Sequence, residues 1–498
     1  LMGDPLHSRP LPLNYGTRGG YSKTTPAIYL AVGSNDGFVR MIRNTTTGGS
    51  ESGAEVWGFM PQSVMGQVKT LRHNPSGTKH PYMVDGSPVA YLEDGDSNGT
   101  IDAGEKAWLF FGLRRGGKGY YALDVTDPEK PELMWSIQKG GDFAELGYTF
   151  STPRVILVSS QYGVRPALIF GGGYDKNKDL RGGVGTNDSE GTAVYVVDAE
   201  TGQLLWKAVG GSGTSNSKVF YQPRLVDSVP SSVAVIDSDG DGRQDRAYFG
   251  DTGGQVWRVD MAGGDTSEWK LTLLASLGRH SALLAGGVAD DLRFFHRPDI
   301  VQDRDENGPY DAVILGSGDR ADPLDLGGLV SNGKFMIKDR RVKPGTGIDI
   351  ALSRSNLGDI TDTCKTVDGA CTADLINGWA LRLEAFGEKS LATALTIGNT
   401  VYFSTYVPVG GSSEGACAPS VGGGRLYAVS LADGTARNNY DQTTEEDERF
   451  DELDSQGIPA EVVSLPPSAI LRPDLKTENT NTTTRFQTYW LEEENSDL

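Results

Sequence analysis

Short apolar runs recur along this chain in pairs, five of the six first runs ending on a glycine and each pair spanning a polar turn. Ile28–Val32 meets Gly33 and precedes Phe38–Ile42; Trp108–Phe111 meets Gly112 and precedes Tyr120–Val125. Leu168–Phe170 with Gly171 leads to Val194–Val197, and Tyr248–Phe249 with Gly250 leads to Val256–Val259. Val313–Leu315 with Gly316 leads to Phe335–Ile337, and Val401–Phe403 leads to Leu426–Val429. Trp379–Leu383 reads as one more second run without a first partner, which brings the second runs to seven. Several end in aspartate (Asp124, Asp198, Asp260, Asp339), and Trp57, Trp135, Trp206 and Trp269 follow such runs at short distance.

Runs of this length between turn residues predict meander strands. Units too small to bury their own faces must stack, and closing the stack into a ring removes the exposed edges. The expectation is an all-β chain: a seven-bladed β-propeller with loop insertions over residues 1–440, then an acidic segment and tail over 441–498 that closes or packs on it. A β-sandwich pair is the alternative, which the regular recurrence disfavours. Leu271–Leu284 and the tail are the only stretches that read as short helices. The inserts are Thr45–Gly53, Asp175–Gly191 and Lys343–Gly378. The acidic run Asp441–Asp454 reads as solvated, and either Val462–Leu465 or Phe486–Trp490 could return as a closing strand.

Composition narrows the function classes. The 498 residues include 66 glycines, as a turn-rich β protein requires. A net charge of −20 argues against nucleic acid, which is bound through basic patches, and suits divalent cations. No apolar run is long enough to span a membrane as a helix. The opening LMGDPLHSRP lacks a basic and an apolar region in the order a signal peptide needs, and reads as an internal start. Of three cysteines, Cys364 and Cys371 flank a short loop and could pair; Cys417 with either of them is the rival arrangement.

The densest chemistry lies in Val233–Asp260. Asp237, Asp239, Asp241, Gly242 and Asp245 have the spacing D-x-D-x-D-G-x-x-D. Oxygen ligands on alternate residues, a glycine where the chain turns back and a final carboxylate suit Ca²⁺. The expected ligands are the side chains of Asp237, Asp239, Asp241 and Asp245 and the backbone carbonyl of Arg243, whose side chain points away. Tyr248 stands where an EF-hand carries its bidentate glutamate, and the flanks are strand-like. This predicts an EF-hand-like loop without the helix pair. Asp94, Asp96, Asn98, Gly99, Asp102 and Glu105 form a second such pattern with apolar Ile101, competing with the reading of a soluble hairpin insert. Asp303, Asp305, Asn307, Gly308 and Asp311 form a third, but Pro309 after the glycine favours a polar turn. Five scattered histidines and the absence of known nucleophile motifs nominate no catalytic group.

Several segments together resemble the C-terminal domain of the PilY-type (PilC) type IV pilus biogenesis factors and tip-associated adhesins. They are GDPLHSRP (Gly3–Pro10), GGKGYYALDVTDP (Gly116–Pro128), Asp237–Asp260, TVYFSTYVP (Thr400–Pro408) and GGGRLYAVSLADG (Gly422–Gly434). The resemblance implies a modified seven-bladed propeller and carries the calcium loop over to Asp237, Asp239, Asp241, Arg243 and Asp245. It implies a non-enzymatic switch in which bound calcium favours pilus extension and its loss permits retraction, and so governs twitching motility, surface attachment and virulence. The implied partners are minor pilins, the pilus tip or assembly machinery, and the host cell surface. The implied setting is export in a Gram-negative bacterium to the pilus, outer membrane or cell surface, with a periplasmic stage. Two rivals stand beside it: a calcium-dependent adhesion propeller that binds a host protein without regulating pili, and a quinoprotein-like dehydrogenase. The second lacks the vicinal Cys-Cys pair often used to stack the quinone.

Overall fold

The computed structural model describes residues 2–160, 163–179, 185–281, 290–325, 330–367, 371–409, 421–440 and 448–480. Their strands form seven sheets that follow one another along the chain. The first holds Leu11–Asn14, Ile28–Gly33, Val39–Thr45 and Glu51–Phe59. The second holds Val89–Glu93, Lys106–Gly112, Gly119–Asp124 and Glu132–Gln138. The third holds Arg154–Ser160, Gly163–Gly171, Ala193–Asp198 and Leu204–Gly210, with Val219–Gln222 added in parallel. The fourth is Ala234–Ile236, Arg246–Gly250, Gln255–Asp260 and Lys270–Ser276. The fifth is Asp299–Asp305, Gly308–Gly316, Gly333–Asp339 and Gly378–Arg382, edged by Gly358–Asp359. The sixth is Leu395–Ile397, Thr400–Val407, Gly423–Ser430 and Phe450–Gln456; the seventh is Val463–Leu465, Ala469–Leu471 and Thr477–Asn479.

The core is divided into layers between consecutive sheets, and strand periodicity assigns each side chain to its layer. In the third sheet Ala167, Ile169, Val194 and Val196 pack with Ala247, Phe249 and Trp257 of the fourth. Leu168, Phe170, Tyr195 and Val197, on the opposite face, pack with Phe110, Tyr120 and Trp135 of the second. Alternate residues serve two neighbours, so the central strands are apolar throughout and not alternating. The glycines that end the first runs mark where sheets meet most closely. A β-carbon on Gly33 would stand 2.7 Å from the Val84 carbonyl oxygen; on Gly171, Gly250 or Gly316 it would overlap Val229, Phe294 or Ser390, each on the segment approaching the next sheet.

The tryptophans repeat a second contact. The indole N–H of Trp57 donates to Pro128 O at 2.9 Å, that of Trp135 to Ala199 O at 2.9 Å and that of Trp379 to Leu431 O at 3.0 Å. Each reaches from the outer part of one sheet to the turn after the third strand of the next. Trp206 occupies the matching place in the third sheet but packs edge-on to Trp269, with its nitrogen unpartnered.

The segments that feed the first strands of all seven sheets line one cavity of about 570 Å³, within residues 6–11, 87–89, 152–154, 230–233, 295–297, 391–393 and 458–461. Arg9, ahead of the first sheet, pairs with Glu461, ahead of the seventh, at 2.6 Å.

Three expectations are corrected. Trp379–Leu383 is no second run: Gly378–Arg382 is the fourth strand of the fifth sheet, and the Lys343–Gly378 insert separates it from its neighbour Gly333–Asp339. The seventh sheet comes from Val463–Asn479 instead. Leu271–Ser276 is strand, because Leu271–Ser276 are buried and pair with Gln255–Asp260. Among the described residues the α-helix is Met65–His73, an exposed turn between the first two sheets that buries no side chain. Within the acidic run, Phe450–Gln456 pairs with Gly423–Ser430, and Glu448 and Arg449 beside it are buried. The Phe486–Trp490 run, Cys417 and residues 441–447 lie outside the described residues.

Candidate metal centre

The loop Asp237–Asp245 joins the first two strands of the fourth sheet. Gly240 and Gly242 take φ of +80° and +83°, which lets the chain fold back on its own first residue. Asp237 Oδ1 accepts from the amide of Gly240 at 2.7 Å, and Oδ2 from that of Gly242 at 2.7 Å. Asp245 is buried, and its Oδ2 accepts from Ser238 Oγ at 2.7 Å. Carboxylate oxygens of Asp237, Asp239 and Asp245 all lie within 4.8 Å of one another. A calcium ion with oxygen ligands at about 2.4 Å separates opposite ligands by about 4.8 Å, so this span and this all-oxygen donor set fit one such ion.

Asp241 and Arg243 differ from expectation. Asp241 is not in the converging group, and its Oδ2 lies 3.3 Å from Arg243 Nη1. The Arg243 side chain turns back toward the loop, and Nη1 also donates to Ser159 Oγ at 3.1 Å.

The loop is tied to its surroundings on two sides. Gln244 bonds Leu157, in the first strand of the third sheet, through N–H to O at 3.1 Å and through Oε1 from N–H at 2.7 Å. Arg246, the residue after Asp245, is fully buried with Nε 2.8 Å from Asp311 Oδ2. Tyr248 donates toward Asp311 and Asp339 at 2.7 and 2.9 Å, and Arg258 pairs with Asp339 and Asp260. Tyr248 therefore cannot serve as a twelfth-position ligand; its ring lies between the fourth and fifth sheets. This charged layer was not foreseen, although its signal was visible in the aspartates closing the second runs, Asp260 and Asp339. Burial raises the carboxyl pKa of Asp245 above its ordinary value, opposed by the hydrogen bonds from Ser238 and the charge of Arg246.

The second pattern occupies the equivalent hairpin of the second sheet. Asp94 Oδ2 accepts from Gly99 N–H at 2.7 Å, as Asp237 does from Gly242. Asp94, Asp96 and Glu105 converge within 4.8 Å. Asp102 stands apart, accepting from the Asn98 amide at 3.2 Å, while its N–H donates to Glu105 Oε2 at 2.8 Å. Ile101 anchors the loop in the layer between the first and second sheets. The third pattern is a polar turn, as expected. Asp303 and Asp305 lie on a strand, Asp305 pairs with Lys338 and Arg340, and Asp311 is the buried partner of Arg246.

Cys364 and Cys371 form a disulfide with Cα atoms 4.7 Å apart, which selects the local pair of the two arrangements considered. His7 and His280 each bond a buried aspartate, Asp85 and Asp227, at 2.8 Å. No helix among the described residues is long and apolar enough to cross a membrane.

Consecutive sheets, layered cores and a shared central cavity define a β-propeller domain, here with acidic hairpins between first and second strands. The chain belongs to the PilY1 beta-propeller domain family, whose model matches residues 9–275. It is 26% identical over 447 residues to a type IV pilus biogenesis factor PilY1 homolog of Xylella fastidiosa strain Temecula1, an alignment that covers 83% of this chain and 26% of that protein. It is 32% identical over 262 residues to type IV pilus biogenesis factor PilY1 of Pseudomonas aeruginosa strain PAO1, covering 51% of this chain and 19% of that protein. The chain thus spans about a quarter or less of the length of these relatives. In three dimensions it resembles the crystal structure of the Pseudomonas aeruginosa PilY1 C-terminal domain, with a TM-score of 0.63 and 21% identity over 92% of this chain and 93% of that one.

Proposed function

We propose that this chain is the calcium-responsive domain of a type IV pilus biogenesis factor, and that the Asp237–Asp245 loop sets the balance between pilus extension and retraction. The observation that carries the reading is the convergence of Asp237, Asp239 and Asp245 in a chain of this family. The proposed ligand set is completed by Asp241, once its carboxylate leaves Arg243, and by the Arg243 carbonyl. The proposed ring is seven-bladed, supported by the seven segments around one cavity and by the Arg9–Glu461 pair. The blades extend past residue 440 to the strands at 450–479. The proposed setting is the pilus or cell surface after export, with pilus components as partners.

The physical logic is local. Without a cation, the three carboxylates repel one another, and two contacts transmit the strain. Gln244 leads to the third sheet, and Arg246 to the charged layer between the fourth and fifth. Calcium relieves the repulsion and stiffens both links. The test has two arms. Calorimetry should detect calcium binding that Asp245→Ala weakens. In a piliated bacterium carrying the variant in its full-length protein, surface pili should fall. In the same background Asp245→Lys, which places an ammonium in the acidic loop, should restore them. Parent-like pili in Asp245→Ala cells, with calcium binding lost, would sink the regulatory reading. Normal pili with lost adherence would support the adhesion alternative.

A further inference from the structure

The central cavity runs against the charge of the molecule. The chain carries −20, yet the cavity is lined by Arg9, Arg114, Arg154, Arg297 and Arg320, and Glu461 is the one carboxylate among its lining residues. Behind the wall, Asp85 bonds both His7 and Arg114, at 2.8 and 3.2 Å. Arg9 is held by Glu461. Arg154, Arg297 and Arg320 have no ion-pair partner among the described residues. Elsewhere buried guanidiniums are matched to carboxylates: Arg258 to Asp260 and Asp339, Arg293 to Asp291 and Asp319.

Arg154 is exposed and Arg297 and Arg320 are half-buried, and guanidiniums gathered without carboxylate partners repel one another unless an anion occupies the space between them. The crowding of like charge is visible at Arg154, Arg114 and Arg320. Burial, reinforced by Arg297, lowers the Arg154 pKa to about 10, and burial with Arg320 lowers Arg114 to about 10 against the pull of Asp85. Burial lowers Arg320 as well. His296 lines the same cavity with its Nε2 buried and without a partner. The remaining wall includes Phe150, Phe295 and Leu391, so the site offers planar apolar contact beside fork-shaped donors. A volume of about 570 Å³ lies in the range of small-molecule sites.

We propose that this cavity binds a small organic anion carrying two or more carboxylate or phosphate groups, held by Arg154, Arg297 and Arg320. The site is distinct from the acidic hairpins: its walls precede the first strands or, at Arg114 and Arg320, follow the second, and the hairpins lie at the opposite ends of those strands. Binding there ties the third and fifth sheets to one ligand, within a cavity lined by segments of all seven. The inference stands whether or not calcium regulates pili.

The 498-residue chain, stripped of calcium and dialysed into low-salt buffer, would be titrated by calorimetry with benzene-1,3,5-tricarboxylate, inorganic phosphate and, as the monovalent control, benzoate. The tricarboxylate should bind one to one and raise the unfolding temperature, with benzoate at least about tenfold weaker. Saturation by phosphate as well would extend the site to phosphorylated ligands; tricarboxylate alone would confine it to carboxylates. Arg297→Gln with Arg320→Gln should weaken the tricarboxylate about tenfold or more. The same double variant should unfold, without ligand, no earlier than the parent, because it removes unpaired like charges. Absence of saturable binding, equal binding of benzoate, or unchanged binding in the double variant overturns the proposal. A double variant that loses binding and also unfolds several degrees earlier assigns these arginines to structure and overturns it too.

Discussion

Replacing Asp245 by asparagine separates the two roles of that carboxylate, because they have opposite signs. Asp245 is buried and its oxygen lies within 4.8 Å of an Asp237 oxygen. In the calcium-free loop the two negative charges repel by about 1 kcal/mol even at the dielectric of water, and more inside protein. Asparagine keeps the shape and can still accept from Ser238. It removes the repulsion and the cost of burying a charge, so the calcium-free variant should unfold at the parent temperature or above it. Calcium binding should respond the other way. A double positive charge about 2.4 Å from a carboxylate oxygen gains about 3 kcal/mol at water's dielectric, which corresponds to about a hundredfold in affinity. Thermal unfolding with chelator and with saturating calcium, alongside calorimetric titration, reads both effects on one sample. The parent should be stabilised by calcium, and Asp245→Asn far less at the same concentration. An affinity within about threefold of the parent, or a calcium-free variant that unfolds several degrees earlier, would refute the reasoning and leave Asp245 as a residue that only shapes the hairpin.

Other consequences follow from other parts of the fold. If both acidic hairpins hold ions, calorimetry on the parent gives two calcium ions, and Asp94→Asn and Asp237→Asn each remove one; a parent stoichiometry of one leaves the Asp94 loop as a hydrogen-bonded turn. Trp135→Phe should cost about 1 kcal/mol more than Trp206→Phe in urea unfolding, because only the Trp135 nitrogen has a partner to lose; equal costs would show that the indole bond adds nothing. Gly250→Ala, whose methyl would overlap Phe294, should destabilise by about 1–3 kcal/mol by the same measurement. Lys334 is buried between the fifth and sixth sheets with Nζ 4.8 Å from the centre of the Phe403 ring and without a hydrogen-bond partner, and burial lowers its pKa to about 7 against the pull of Asp299. Between about pH 7 and the ordinary lysine value of 10.5 the unfolded chain binds the proton that the folded chain has released, so stability rises with pH across that window. Lys334→Met should flatten this rise, and an unchanged pH profile would refute it.

What could be read from the sequence was whatever repeats locally. Paired runs marked the second and third strands of six sheets, and in five of them a closing glycine has a steric reason at the sheet boundary. The acidic hairpins were legible because metal-ligand spacing is a property of nine to twelve consecutive residues. Side-chain direction was not. Asp241 and Arg243 pair with each other, a choice set by Ser159 on a different sheet, which no spacing rule contains. Two outer strands were hidden for different reasons. Leu271–Ser276 has the apolar density of a buried helix, and only its pairing with Gln255–Asp260 makes it a strand. Trp379 carried the correct signal, a tryptophan after a second run, but the Lys343–Gly378 insert broke the interval by which the other tryptophans were recognised.

The central arginines were invisible for a related reason. Arg9, Arg154 and Arg297 each stand one residue before or after a proline at the approach to a first strand, at intervals of more than a hundred residues. Taken singly, each is an ordinary cation in an acidic chain. Only closure of the ring brings them to one axis, and closure is a property of the whole set of sheets. The same closure separates the two charged features of the molecule. The axis gathers cations where the first strands begin, and the hairpins gather carboxylates where those strands end. A cation in the hairpin of the fourth sheet and an anion on the axis would therefore load opposite ends of the same short strand, Ala234–Ile236, which Val233 joins to the cavity wall and Asp237 to the loop. Coupling between the two ligands, if that strand transmits it, must be reciprocal: calcium should change anion affinity by the factor by which the anion changes calcium affinity. Titrating each ligand in the presence of the other measures the same factor twice, and a factor of one in both titrations would show that the strand does not couple the sites.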